Sequence, residues 1–353
     1  MGTTPTGRSW PRALAYRAAT VVSKVPLSTA LRLLGEWPGV LVLNYHRIGR
    51  CDGQPWDPQA WSTTAEELDS QLRTLARHTQ VIGPGEVSAA MDARPGRRVL
   101  ITFDDGYRDN YELAFPLLRK HSLSATFFLV TGFLDSPRVA WWDEIAWMVN
   151  RADRAMADAR QRLSRSGAAG RASLLPAELS FALPTRDATI AALIMRYWTL
   201  PDGDGEPFLE ELGELAGSGR CDASEAVDMW VTWGMARELH AAGMSIGGHT
   251  ATHPVLARLS AECQREEVTT CGRRLHEELG TPMRWFAYPV GGRDTFTPVT
   301  QRALHECGVE LAFSFYGGFV RPSQWEPLDV PRMHVDPRLT PRLLHAALAG
   351  GRR

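Results

Sequence analysis

The sequence predicts an α/β fold, a distorted (β/α) barrel of about seven parallel strands with a helical insertion. Three observations carry that prediction. From residue 40 onward short apolar runs alternate with helical patterns. Several of the runs are continuously apolar, as strands covered on both faces are. The alternation then lapses over one long stretch in the middle of the chain. An open sheet gives a similar alternation, so periodicity alone leaves it as the alternative.

The strands read in order as Val40 to Asn44, Val99 to Phe103, Ala125 to Val130, Met244 to Gly247, Trp285 to Tyr288, Val309 to Phe313 and Val330 to Val335. Helices between them carry start and stop signals. Thr63 and Thr64 stand three residues before Glu66 and Glu67, a capping box, and Leu68, Leu72 and Leu75 then share one face. Ser260 caps a helix from about Ala261 to Leu279, striped by Val268, Cys271, Leu275 and Leu279 and stopped by Gly280. Thr297 followed by Pro298 opens another helix, which Gly308 closes. Residues from about 143 to 227 form the insertion, where Arg, Ala and acidic residues dominate and Gly203, Gly205 and Gly217 punctuate helical stretches. The expected organisation is an N-terminal amphipathic segment over 1–36, the interrupted barrel over 37–336, and a C-terminal helix or tail over 337–353.

Apolar residues make up 44% of the 353 residues, enough for a full core. Lys and Arg number 39 against 40 Asp and Glu, so no global charge footprint points to nucleic acid, which is excluded as an expected partner. Cys51, Cys221, Cys263, Cys271 and Cys307 are widely spaced without a CxxC pair and read as mostly buried thiols. The apolar stretch Ala18 to Val25 is broken by Lys24 and stopped by Pro26, too short to span a bilayer. Val21, Val22, Val25, Leu31, Leu33 and Leu34, set among arginines, describe two short amphipathic helices divided by Pro26. These either pack on the domain or make a peripheral membrane contact. With no secretory signal read here, the expectation is the cytoplasm or the cytoplasmic face of its membrane, with export left open as the alternative.

Chemistry concentrates at two strand ends. The strand Val99 to Phe103 runs into Asp104, Asp105 and Gly106, at the C-terminal end where barrel active sites are built. Neighbouring strand residues point opposite ways, so two adjacent aspartates serve one site only if the chain turns there, and Gly106 permits the turn. After Met244 to Gly247 comes Gly248, His249, Thr250, Ala251, Thr252, His253, Pro254. Two histidines four apart share a face if this turn is helical and then offer two nitrogen ligands, a set that zinc or another borderline metal accepts. One carboxylate and two imidazoles leave coordination positions open, as catalytic metal sites do. Such a site keeps net positive charge, lowers the pKa of water and polarises a carbonyl, while the second aspartate is free to take a proton.

The segments TFDDG at Thr102 to Gly106 and HTATH at His249 to His253 resemble the two defining motifs of the polysaccharide deacetylases, the NodB-homology family or carbohydrate esterase family four. The resemblance extends over most of residues 38 to 336, through LNYHRI at Leu43 to Ile48, FAYPVGG at Phe286 to Gly292 and VPRMHV near the end. It implies a distorted barrel and the removal of N-acetyl groups from a carbohydrate substrate. It also implies Asp104 as general base, Asp105, His249 and His253 as ligands of a divalent metal (zinc first, cobalt or nickel next), and the Tyr107 backbone N–H as an oxyanion donor. In that mechanism a metal-bound water attacks the acetamide carbonyl and a histidine protonates the departing amine. The sequence departs from the pattern twice. Ala287 stands where many relatives carry the arginine that supports the catalytic aspartate, and Arg284, three residues upstream, is not assigned that role. The general acid is either His334, in the final motif, or His46, at the end of the first strand.

For the substrate groove, Tyr288 and Pro289 are expected to shape it, and Trp142 to bind the sugar within an aromatic set of Trp141, Trp142, Trp147, Trp230 and Trp233 that otherwise simply packs. An amine leaves only when protonated, so an acid that fails to reach the site favours an O-acetyl carbohydrate esterase instead. A catalytically decayed glycan-binding protein, suggested by Ala287, is the alternative of another class. A metalloprotease is disfavoured because HExxH is absent.

Overall fold

The computed structural model describes residues 26–152, 173–176, 179, 185–336, 339–340 and 343. The first of the two expected N-terminal helices and most of the expected C-terminal helix or tail lie outside the described residues. The strands are β1 (Val40–Tyr45), β2 (Arg47–Ile48), β3 (Trp61–Thr63), β4 (Gln80–Val81), β5 (Arg98–Phe103), β6 (Thr126–Leu129), β7 (Ser245–Gly248), β8 (Trp285–Ala287), β9 (Leu311–Ser314), β10 (Phe319–Val320), β11 (Val330–Pro331) and β12 (Met333–His334). The α-helices are α1 (Leu27–Leu34), α2 (Ala65–His78), α3 (Val87–Asp92), α4 (Phe115–Lys120), α5 (Thr131–Asp135), α6 (Trp141–Arg151), α7 (Arg186–Trp198), α8 (Gly205–Ala216), α9 (Trp233–Ala241), α10 (Ala261–Leu279) and α11 (Pro298–Glu306). Among the described residues no helix is long and apolar enough to cross a membrane.

The sheet runs β10, β1, β5, β6, β7, β8, β9, β11, with parallel pairing along the path except between β10 and β1, which pair antiparallel. Its closure depends on the segment read as one strand from Val330 to Val335. The structure divides it: β11 pairs with β9, while β12 pairs with β1, so five residues bridge the two edges of the sheet. Between the halves sits Arg332, 1% exposed, its side chain turned into the barrel. The short strands β2, β3, β4 and β10 were not read from sequence, because two or three residues are too few to show a period.

Alternation along the strands separates two cores. Val40, Val42, Leu100, Phe128, Ala287, Leu311, Phe313 and Val330 pack together inside the barrel. Their neighbours Leu41, Leu43, Val99, Ile101, Phe127, Phe286 and Ala312 point outward and pack with Leu68, Leu72, Leu118, Val268, Leu275 and Leu304 of the helical layer. The interior turns polar toward the C-terminal ends of the strands, where Asn44, Thr102, Asp104, Ser314 and Arg332 are buried.

The helix signals behave as read. Thr64 and Glu67 form the capping box of α2, Ser260 accepts from the Cys263 N–H at the start of α10, and Gly280 ends that helix with φ of 70°. At the start of the expected insertion lies α6, which begins at Trp141. Helices α6, α7 and α8 build a third core from Ile145, Trp147, Met148, Ile190, Leu193, Phe208 and Leu212, and Tyr107 and Trp230 belong to it.

Candidate active site

The two aspartates converge because the chain reverses hand at the end of β5. Asp104 N–H still pairs with the Tyr45 carbonyl (2.9 Å), but Asp105 and Gly106 take φ of 71° and 80°. The non-glycine strain at Asp105 turns its carboxylate to the same side as Asp104. At the end of β7 the anticipated helical turn does not form. His249 to His253 is a loop in which Thr250 and His253 have φ of 68° and 61°, and that reversal brings the two imidazoles to 4.8 Å between ring centroids.

This loop is clamped from two sides. Glu267 on α10 accepts from the Ala251 and Thr252 N–H groups (2.9 Å each) and from the Thr252 hydroxyl (2.6 Å). From the start of α5, Thr131 and Gly132 N–H groups donate to the Thr250 and Ala251 carbonyls at 3.2 and 2.8 Å. Gly132 is required there, since a Cβ would lie 2.4 Å from the Ala251 oxygen.

Asp105 Oδ1 lies 3.3 Å from His249 Nε2 and 3.4 Å from His253 Nε2, all three residues buried. That oxygen is buried yet accepts no hydrogen bond. His249 Nδ1 sits 2.7 Å from the Ala287 carbonyl, which assigns the proton to Nδ1 and leaves Nε2 free as a ligand. A carboxylate oxygen without a donor, two convergent imidazoles and a backbone carbonyl that sets one ring's tautomer fit a divalent ion with nitrogen preference. Ala287 thus contributes through its backbone, whatever its side chain.

The arginine that the sequence left unassigned is Arg332. Its Nη1 and Nη2 donate to Asp104 Oδ1 and Oδ2 at 2.6 and 2.7 Å, and its Nε donates to the Ser314 carbonyl. Burial opposes the charge on Asp104, yet the Arg332 guanidinium holds its pKa below the ordinary value. Arg284 is spent on Glu310 at the surface. A single signal in the sequence pointed to Arg332: a guanidinium inside an apolar strand segment, which must find a buried anion. Burial likewise opposes ionisation of Asp105, but the surrounding imidazoles hold it well below the carboxylate range. Burial lowers His253, while Asp105 and Asp104 raise His249 above its ordinary value despite burial.

These groups open into a cleft of about 600 Å³. His46 and His334 both line it, ring centroids 5.8 Å apart, each set edge-on to Phe315. His46 shares the cleft with both aspartates. Its backbone is pinned, with N–H donating to Ser62 Oγ and C=O accepting from Asn110 Nδ2. Of the groove residues read from sequence, Tyr288 and Trp142 line the cleft and Pro289 does not. Of the five tryptophans only Trp141 and Trp142 reach it, joined by Trp61 and Trp198, which were not singled out. Trp230 instead stacks on Tyr107, Trp147 packs in the insertion core, and Trp233 donates to Asp135 at the surface. The Tyr107 ring is buried away from the cleft, and among the described residues no acceptor takes its N–H.

A parallel-stranded barrel with an Asp-His-His cluster and a second, arginine-held aspartate at its C-terminal rim defines the class: a (β/α)-barrel protein whose rim carries side chains able to hold a metal ion. Residues 92–156 and 216–312 match the family described as polysaccharide deacetylase, the family that the motifs resemble. The gap in the match falls in the insertion. The chain is 32% identical over 119 residues to the Bacillus subtilis protein YxkH, across 32% of this chain and 40% of that one. It is 31% identical over 117 residues to a poly-beta-1,6-N-acetyl-D-glucosamine N-deacetylase of Staphylococcus epidermidis, across 30% and 40%. The alignment thus spans about two fifths of these relatives. In fold the chain is similar to the Streptococcus pyogenes deacetylase PplD (TM-score 0.55, 18% identity, 87% of this chain and 97% of that one). It is also similar to IcaB from Ammonifex degensii (TM-score 0.53, 21% identity, 88% and 98%).

Proposed function

We propose that this chain is a metal-dependent hydrolase that removes N-acetyl groups from a glycan, or glycan precursor, containing N-acetylhexosamine. The observation that carries the reading is the buried Asp105, His249 and His253 cluster with Asp104 fixed beside it by Arg332. The family match and the amide-cleaving name of the Staphylococcus epidermidis relative support it.

In this reading Asp105, His249 and His253 hold a divalent ion, zinc first among the candidates and cobalt or nickel next. When bound, such an ion supplies Lewis acidity, lowering the pKa of water and polarising the acyl carbonyl. Asp104, kept ionised by Arg332, takes the proton of the attacking water. The uncommitted Tyr107 N–H faces the developing oxyanion. His46 delivers a proton to the departing amine; its pinned backbone and its proximity to both aspartates favour it over His334, which backs it across the cleft. Two imidazoles in the cleft suit an amide, whose leaving group requires the proton, better than an ester. Arg332 fills the role left open at Ala287, which argues against a decayed glycan binder. The aromatic lining of Trp61, Trp141, Trp142 and Trp198 offers apolar faces to sugar rings. The exposed Leu33 on α1, beside an arginine-interspersed apolar pattern, supports peripheral contact with a membrane surface.

The test measures acetate released from N-acetylglucosamine oligomers and from O-acetylated glycans, with added zinc, cobalt or nickel, by the wild type, Asp104→Asn and His249→Ala. The expected result is metal-dependent N-deacetylation abolished in both variants. Release from O-acetyl substrates alone overturns the amidase reading in favour of an esterase.

A further inference from the structure

Behind the cleft lies a buried charge cluster that the proposed reaction does not use. Asp143, in the first turn of α6, is fully buried. Its Oδ2 accepts from the Tyr107 hydroxyl at 2.9 Å and stands 3.6 Å from Arg47 Nη1, while its Oδ1 accepts from the Asp57 N–H at 2.9 Å. The Tyr107 hydroxyl in turn accepts from Trp142 Nε1 at 2.7 Å. Arg47 lies between two rings, 4.4 Å from the centroid of Trp61 and 4.5 Å from that of Tyr107, and also pairs with Asp109 at 3.5 Å. A buried carboxylate is costly unless its lone pairs are met, and here two hydrogen-bond donors from separate segments meet them while Arg47 supplies the opposite charge from a third.

What these groups hold is the surroundings of the reaction. Tyr107 follows Gly106, and two backbone bonds fix the strand on either side of it: Val231 N–H to the Gly106 carbonyl and Arg108 N–H to the Met229 carbonyl. The Gly106 carbonyl and the Tyr107 N–H belong to one planar peptide group, so the Val231 bond sets the line of that N–H, and the ring, anchored on Asp143 and Trp142, holds the residue in place behind it. Arg47 immediately follows His46 in the chain, so the same carboxylate restrains the strand that carries the acid. The neighbouring residues of the turn reach the metal-binding loop as well. Trp141 Nε1 donates to the His253 carbonyl at 3.2 Å, and the Trp142 ring lies 4.3 Å from the His253 ring.

We propose that Asp143 and Arg47 are positioning residues, through which the helical insertion aims the Tyr107 N–H and the His46 strand at the reacting acyl group. The inference rests on the deacetylase reading given above. A small displacement of an oxyanion donor costs catalysis without changing ground-state binding, because the donor acts on charge that appears only in the transition state.

The experiment compares full-length wild type, Asp143→Asn, Tyr107→Phe and the double variant on one N-acetylglucosamine oligomer, recording kcat, KM and bound zinc per chain. Wild-type turnover tests the deacetylase reading by itself; the variants test only the positioning role. Each single variant is expected to lose roughly 10- to 100-fold in kcat, with KM within about 2-fold and zinc content unchanged. The double variant is expected to be no slower than the worse single one, since both cut the same link. Unchanged kcat in Tyr107→Phe, or a kcat loss that tracks loss of zinc, overturns the proposal and leaves the cluster as a fastening of the insertion. If Asp143→Asn does not fold, Tyr107→Phe, which removes a single hydroxyl, gives the same decision alone.

Discussion

The two halves of the candidate site are held in opposite ways. The metal half is local: Asp105 sits in a tight turn, and His249 and His253 share one five-residue loop clamped by Glu267, Thr131 and Gly132. The proton-transfer half is assembled from afar. Arg332 reaches Asp104 from 228 residues along the chain, and His46 and His334 meet across β1 and β12. The difference teaches that the proposed ligand set is made by short segments, whereas the charge state of the proposed base and the place of the proposed acid are set by barrel closure.

The largest expected effect breaks the distant half. Arg332→Met leaves the Asp104 carboxylate buried without its partner, and loss of roughly 3–5 kcal/mol of stability is expected by urea unfolding. In the wild type the folded-state pKa of Asp104 is lowered, so its contribution is full above the unfolded value of about 4 and is lost as pH falls through the folded one. Without the guanidinium, burial raises that pKa, and the sign reverses: the variant loses stability as pH rises above about 4. Bound zinc is expected to survive in this variant, and its loss would deny that the halves are separable.

A middle effect probes the local half. Glu267→Ala frees two N–H groups of the histidine loop, and zinc affinity measured by competition with a chelator is expected to fall about 10- to 100-fold. An unchanged affinity would mean that the Thr131 and Gly132 contacts suffice. A smaller effect comes from the cluster behind the cleft. Burial pushes the Asp57 carboxyl up to about 7, so the folded state keeps its proton longer than the unfolded chain. Stability therefore falls as pH rises from about 4 through 7. Asp57→Asn keeps the acceptor for the Gln59 N–H without the charge. Its stability relative to wild type is expected to grow by about 1–3 kcal/mol between pH 4 and pH 8, and a flat difference would refute that origin. The smallest is Arg265→Ala, at an exposed pair with Glu306, with a change within about 0.5 kcal/mol.

The same division explains what was legible in the sequence. The strands with long apolar runs, the capped helices α2, α10 and α11, and the four residues Asp104, Asp105, His249 and His253 all announce themselves over a handful of consecutive positions. The loop at His249 to His253 was readable as a ligand pair but not in its conformation, because left-handed Thr250 and His253 are imposed by contacts from α5 and α10. Arg332 and Arg47 were missed because their partners are distant in sequence; each is a cation in an otherwise apolar segment that reads as strand, and that is the trace both leave. Trp198 and Trp61 reach the cleft through the insertion and through a two-stranded extension, neither of which has a period to read.

The central claim is that the Asp105, His249 and His253 cluster makes this barrel a metal-dependent N-deacetylase. The most direct measurement is acetate release from an N-acetylglucosamine oligomer by wild-type protein stripped with a chelator and then reloaded with one equivalent of zinc. The account predicts loss of release on stripping and its recovery on reloading, with neither seen in His253→Ala. Release that persists undiminished in the stripped protein would contradict it.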